Sequence, residues 1–471
     1  MMFYRIVRKE ILENLLSLRF MLSLVLTISL FAAAAFVFVD DHREQLNDYW
    51  HRTNANVADF REQAGQLNKV VFYEQHVYSR PKLLALCAEG FQQSLPGHFV
   101  FTGFAIDLPR LAGQSNFALP RFACLDWSFI ISLIFGFIAF VFTYDSICGE
   151  RERGTLRLIL TGSVPRATVL LGKYVGLMLT LGIPLLLGLL VSLIIVGVSQ
   201  VDAFHAGTWV KVLSIVVLSF IYLSIFVLLG LFVSARASRP ANCMAALLFI
   251  WVTVVILIPS LGRIASDRLS HGAPPTDLAK AKDQAAGRVD SDTDKYGKGA
   301  GNLSENPKDC NPPARARYAN ARTEAVNEVV ESYHNRMLAQ AFAGRALTRL
   351  SPAVVYRTAS EALAGTGMQR CISLFRQVRQ YQVQLRDYVI GEDRSDPDSL
   401  HLLFDEEYPV TQWNAISKKA VNFDSVPKFQ EHDFTLGESL RLGVWDLGLL
   451  ALFNLVFFAA AFASFLTYDV R

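Results

Sequence analysis

Apolar residues in this chain gather in runs of about 20, long enough to cross a hydrocarbon core of roughly 30 Å as a helix. The pattern predicts six spans: 20–39, 122–143, 168–198, 210–233, 243–261 and 444–466. A bilayer core offers no water to backbone N–H and C=O groups, so each run must be helical. The predicted fold class is therefore an all-α polytopic membrane protein. The first run follows 19 residues that include Glu10 and Glu13, and it is longer than a signal-peptide core. It reads as an uncleaved span.

Residues 1–19 mix Ile6, Val7, Ile11, Leu12 and Leu15 with Arg5, Arg8, Lys9, Glu10 and Glu13. This amphipathic pattern predicts a helix lying along the inner leaflet. Two long polar segments separate the spans, 40–121 and 262–441. Their apolar positions recur in three- and four-residue steps: Leu46, Trp50, Thr53, Val57, Phe60, Ala64, Leu67 and Val71; Val326, Val330, Tyr333 and Met337; Leu374, Val378, Tyr381, Leu385 and Tyr388. Such narrow seams must pair. The two insertions are expected to form one large, mostly helical external domain, with the first seam continuing the first span outward. The stretch 270–313 is poor in apolar residues and reads as partly flexible, with a short helix near 279–286.

Positive charge orients the spans. Arg5, Arg8, Lys9 and Arg19 precede the first; Arg151, Arg153, Arg157, Arg166 and Lys173 lie between the second and third; Arg236 and Arg239 lie between the fourth and fifth. With six spans these fall on one side. Both termini are expected in the cytoplasm of a plasma (inner) membrane, and the large domain on the external or periplasmic side.

Composition narrows the function classes. Hydrophobic residues make up 52% of the 471, and the net charge of +3 comes without a basic block, which argues against a nucleic-acid partner. Six cysteines are too few for a disulfide scaffold, and no Cys/His spacing points to a metal site. Cys310 and Cys371 both fall in the second insertion, where an oxidising compartment would let them pair. No H-E-x-x-H, no G-x-S-x-G and no paired carboxylates occur in the spans, so no catalytic residue is assigned. The nine histidines are scattered outside the cytoplasmic loops. Asp446 and Asn242, polar residues near the ends of spans, are candidates to line a pathway, against the simpler reading of hydrated interfacial groups. Pro184 and Pro259 fall inside span patterns and are expected to kink them.

The cytoplasmic segment 144–167 carries the most chemistry. It begins with a short charged helix, is broken by Gly162, Ser163 and Pro165, and leads into the third span. A short helix joining two spans is a lever. Glu150 and Glu152 with Arg151, then Gly154, Thr155, Leu156 and Leu160, then Pro165, Arg166, Leu171, Gly172 and Lys173, resemble the coupling region of type-2 ATP-binding-cassette (ABC) exporter permeases. The size of the two insertions, with R-P-K-L-L-A-L-C-A-E-G at 80–90 and L-S-P-A-V-V-Y at 350–356, is similar to a subgroup containing permeases of gliding machinery and of copper-enzyme maturation.

That resemblance implies a transport subunit whose acidic residues meet a basic rim on a separate ATPase chain. Alone, Glu150–Arg153 would read equally well as solvated anchors of a span end. No G-x-x-x-x-G-K-[ST] loop occurs, so ATP and Mg2+ are expected in the partner and no cofactor in this chain. A second permease copy or paralogue and the bilayer complete the expected assembly. The competing reading is mechanical: the same motion is passed to an external partner protein and no cargo crosses.

Overall fold

The computed structural model describes residues 2–90, 98–107, 125–155, 165–202, 204–269, 275–301 and 311–467. Six helices among them are long and apolar enough to cross a membrane: Leu18–Gln63, Trp127–Glu152, Arg166–Ser199, Ala206–Arg236, Pro240–Gly262 and Val444–Leu466. They are called the first to sixth spans below. The N-terminal helix Met2–Leu15 packs against the third span.

The first span opens at Ser17, whose hydroxyl accepts from the Phe20 amide. It then runs for 46 residues without a break. At 1.5 Å per residue that is about 69 Å, twice the hydrocarbon core. Its second half therefore stands outside the membrane and carries the first seam into the external domain.

Two spans contain π-helical turns, Ile130–Phe135 in the second and Val252–Leu257 in the fifth. The second-span turn is braced from both sides. Tyr222 Oη donates to the Ser132 carbonyl at 2.7 Å, and Trp251 Nε1 donates to the Leu133 carbonyl at 3.3 Å. The fifth-span turn lies just before Pro259. Proline lacks an amide hydrogen and crowds the carbonyl four residues back, here Val255, and a wider turn relieves that crowding.

Among the described residues the domain built from the two insertions has two main cores, beside a small cluster of Ala300, Ala314 and Tyr318. In one, Phe60, Ala64, Leu67, Val70 and Val71 of the first insertion pack with Leu385, Val389, Phe404, Val410 and Trp413 of the second. In the other, an antiparallel sheet lies on the helix Met368–Asp393. Its strands are β1 (Gln75–Tyr78), β2 (His98–Phe101) and β3 (Ile106–Asp107), in the order β1-β2-β3. Val77, Phe99, Phe101 and Ile106 meet Leu374, Phe375, Val378 and Tyr381. The seam Leu374–Leu385 is thus buried along its length and joins both insertions into one body. Along the first seam, Leu46 and Phe60 are buried while Trp50 and Val57 remain exposed. The sheet is the element that helical periodicity did not predict. Helix Pro275–Asp290 extends the short helix expected near 279–286 and packs on Pro312–Thr348.

Helix Pro352–Ala364 lies inside the segment expected to be external, yet it packs against the fourth and sixth spans and touches the second and fifth. Val355, Tyr356, Ala359 and Leu363 belong to the same apolar core as the spans. Tyr356 stacks on Tyr222 with ring centroids 4.6 Å apart, and its hydroxyl shares a 2.8 Å hydrogen bond with Ser219. This helix is a wedge driven between the outer ends of the spans.

Candidate functional site

The candidate site, at the membrane face expected to be cytoplasmic, is built on a glycine-permitted contact. Gly172 and Gly176 of the third span sit one turn apart against the N-terminal helix. A Cβ on Gly172 would come within 2.7 Å of Ile6 Cγ2, and one on Gly176 within 2.7 Å of Glu10 Cβ. Only hydrogen atoms there let the two helices approach so closely. Between the glycines, Lys173 points into the same contact and is 1% exposed.

Lys173 Nζ donates to Glu10 Oε1 at 2.6 Å and lies 3.0 Å from Glu150 Oε1. Lys9 Nζ reaches the same Glu150 oxygen at 3.1 Å, and Glu13 at 3.6 Å. Two buried carboxylates thus face two ammonium groups, and the charges balance. The cluster joins the N-terminal helix, the short helix Cys148–Glu152 of the segment expected to be cytoplasmic, and the third span at one point. Burial raises the pKa of Glu10, with Lys173 opposing. Burial works to lower that of Lys9, but the charge and hydrogen bond of Glu150 outweigh it and the net shift is upward.

Two further contacts fix the cytoplasmic helix. Arg19, at the start of the first span, grips Asp145 through two bonds of 3.1 and 3.0 Å and donates to the Val141 carbonyl at 3.0 Å. Ser234 of the fourth span accepts from the amides of Ile147 and Cys148, both at 3.1 Å, and bonds the Tyr144 carbonyl. A bidentate guanidinium pair holds orientation as well as distance. Gly154, at φ 74°, ends the helix in the left-handed region that favours glycine. The Arg166 guanidinium donates to the Leu466 carbonyl at 2.6 Å and ties the third span to the sixth.

The predicted coupling residues divide. Glu150, Gly172 and Lys173 are buried inside the chain, so Glu150 is spent on an internal ion cluster rather than offered to a partner. Arg151, Glu152, Gly154 and Thr155 are exposed, and Pro165 is the exposed residue preceding the third span. Leu156 and Leu160 lie outside the described residues. At the other face Asp446 pairs with Arg349 at 3.1 Å; Asn242, on the same face as the Lys173 cluster, is exposed near the start of the fifth span. Cys371 is partly buried with burial pushing its thiol up to about 11, and Cys310 lies outside the described residues.

Lys9, Glu10, Arg19, Asp145 and Ser234 were not among the predicted site residues. For Glu10 a signal existed. It falls on the apolar face of the amphipathic N-terminal helix with Val7, where an acid demands a partner.

A family model for ABC-2 family transporter proteins matches residues 4–470. The chain belongs to the ABC-2 transporter family. Two curated relatives are both described as a probable ABC transporter permease protein NosY. The one from Stutzerimonas stutzeri is 28% identical over 167 residues, 34% of this chain and 52% of its own. The one from Pseudomonas aeruginosa is 30% identical over 164 residues, 34% of this chain and 58% of its own. The chain spans little more than half the length of these relatives. Family membership and six apolar helices make this ABC-2 chain an integral membrane protein of the permease type.

Proposed function

We propose that this chain is the permease half of an ABC exporter, driven by a separate ATPase subunit that binds ATP and Mg2+. The cluster of buried Glu10, Glu150 and Lys173, closed on its outer side by the exposed Lys9, carries the proposal. A lever transmits force only if its root is rigid, and this cluster, with Arg19–Asp145 and Ser234, makes the root of the cytoplasmic helix rigid. The exposed turn Arg151–Thr155 is then the surface that meets the ATPase, with Glu152 as its acid. A second permease copy completes the assembly.

A mechanical reading is favoured by two observations. The first span continues unbroken into the external domain, and the wedge helix fills space between the outer ends of the spans. Both are suited to passing motion outward to a partner protein without moving cargo.

Co-purification with the co-expressed ATPase tests the proposal. Glu152→Lys reverses charge at the contact and should reduce recovered ATPase at least tenfold, while Glu152→Gln has a smaller effect. Wild-type recovery in Glu152→Lys would remove the acid from the docking surface. Full ATP-dependent activity in Glu150→Gln would remove the buried cluster from the mechanism.

A further inference from the structure

We infer that the N-terminal helix is an anionic-lipid sensor: its outer face binds acidic headgroups of the inner leaflet and thereby sets the position of the cytoplasmic lever. The inference rests on the coupling role proposed above for the Lys173 cluster.

The helix has two separate faces. At about 100° per residue, Val7 and Glu10 fall on the side that meets the third span. Tyr4, Arg5, Arg8 and Leu12 fall together on the opposite side and all four are exposed, as is Leu16 in the turn that follows the helix, by 86%. The carboxylates of this helix are used elsewhere: Glu10 is buried on Lys173, and Glu13 pairs with Lys9. Arg5 and Arg8 form no ion pair among the described residues. The outer face is therefore apolar and aromatic with two cations and no acid.

That chemistry fits a boundary between acyl chains and phosphate headgroups. It does not fit water, because Leu12 and Leu16 would stand exposed. The face is also continuous with Leu18, Met21, Leu22 and Val25, the exposed residues at the start of the first span. One strip of surface thus runs from the bilayer core to its cytoplasmic boundary.

The same helix carries Lys9 and Glu10 into the cluster that roots the lever. Seating the outer face on headgroups presses Glu10 towards Lys173; lifting it draws Lys9 and Glu10 away from Glu150. Each cation near an anionic surface shifts binding by roughly fivefold, so Arg5 and Arg8 together shift it by about 30-fold.

The experiment uses the chain with its co-expressed ATPase in nanodiscs of phosphatidylcholine, with or without one-third phosphatidylglycerol. Hydrogen exchange of residues 2–15 and the ATPase rate are both read, for wild type and for Arg5→Gln/Arg8→Gln. Phosphatidylglycerol should slow exchange in the wild type at least tenfold and change the ATPase rate several-fold. The double variant should lose most of both responses while matching wild type in phosphatidylcholine. Equal lipid responses in wild type and variant overturn the lipid surface. A variant that loses the ATPase in both lipids assigns the arginines to the ATPase instead and also overturns it. Slower exchange with an unchanged ATPase rate overturns the sensing role alone. The coupling reading fails separately, through wild-type activity of Glu150→Gln, and leaves the exchange result standing.

Discussion

Lys173 is an ammonium group buried near the start of the third span, and two carboxylates make that tolerable. Removing one member of a buried ion cluster is costlier than removing the whole, because the remaining charges keep their desolvation penalty. Lys173→Met should destabilise the protein by about 3–5 kcal/mol. Thermal unfolding in detergent measures this. Adding Glu10→Gln to Lys173→Met should cost less than the two single changes summed, since the charge left behind is then gone. A strictly additive double variant would show that the two residues act independently. Arg19 and Asp145 work differently: their fork holds an angle, so Arg19→Lys should loosen the cytoplasmic helix despite keeping the charge.

At the scale of elements, a histidine pair joins two strands of the sheet beside the extension of the first span. His76 Nδ1 and His98 Nε2 face each other at 2.9 Å, with the rings 5° from parallel and centroids 5.1 Å apart. The first span contributes Asn56, which accepts from the His76 amide at 3.1 Å. Burial lowers the pKa of His98, followed by His76 and Arg52, with Glu74 opposing. A histidine whose folded pKa lies below its usual value takes its proton more readily when unfolded. Its stabilising contribution is present above the ordinary histidine range and is lost as pH falls towards the lowered value. Acidifying from pH 7.5 to 5.5 should therefore speed hydrogen exchange of β1 and β2, and His98→Gln should flatten that response. Unchanged exchange across this interval would show that the His98 contact does not depend on pH there. The wedge helix has a similar element-scale anchor in Tyr356. Tyr356→Phe keeps the stack on Tyr222 and loses the bond to Ser219, for about 1 kcal/mol.

Across the whole molecule, the proposed force has two routes from the face of the Lys173 cluster to the domain built from the two insertions. One is the first span, rooted by Arg19 and ending in the external core at Phe60. The other passes through the fourth span, from Ser234 at the lever to Tyr222 and Ser219 at the wedge. Both presume one orientation. Single cysteines at Glu152 and Asp387, with the native thiols blocked, should divide by side. The Asp387 site should react with an impermeant maleimide in sealed cells, and the Glu152 site only after lysis. The reverse pattern would invert the topology.

The spans were legible because the signal is local: about 20 neighbouring residues each prefer hydrocarbon, and no distant contact is needed to sum them. The seam Leu374–Leu385 was legible for the same reason, since helical spacing lies within one segment. The sheet was not, because strands of four and two residues leave too short an alternation to stand out. Helix Pro352–Ala364 read as external because it falls inside the long polar segment 262–441; packing against neighbouring spans, with the Arg345–Glu361 pair, accounts for its burial. The coupling motif located Glu150 and Lys173 but assigned the acid outward. Glu150 meets Lys9 and Lys173 across 141 and 23 positions of chain. Sequence alone determined which residues leave water, since transfer free energy belongs to each side chain. Tertiary structure decided which buried charges meet, since a pairing energy exists only once packing brings distant groups within a few ångströms.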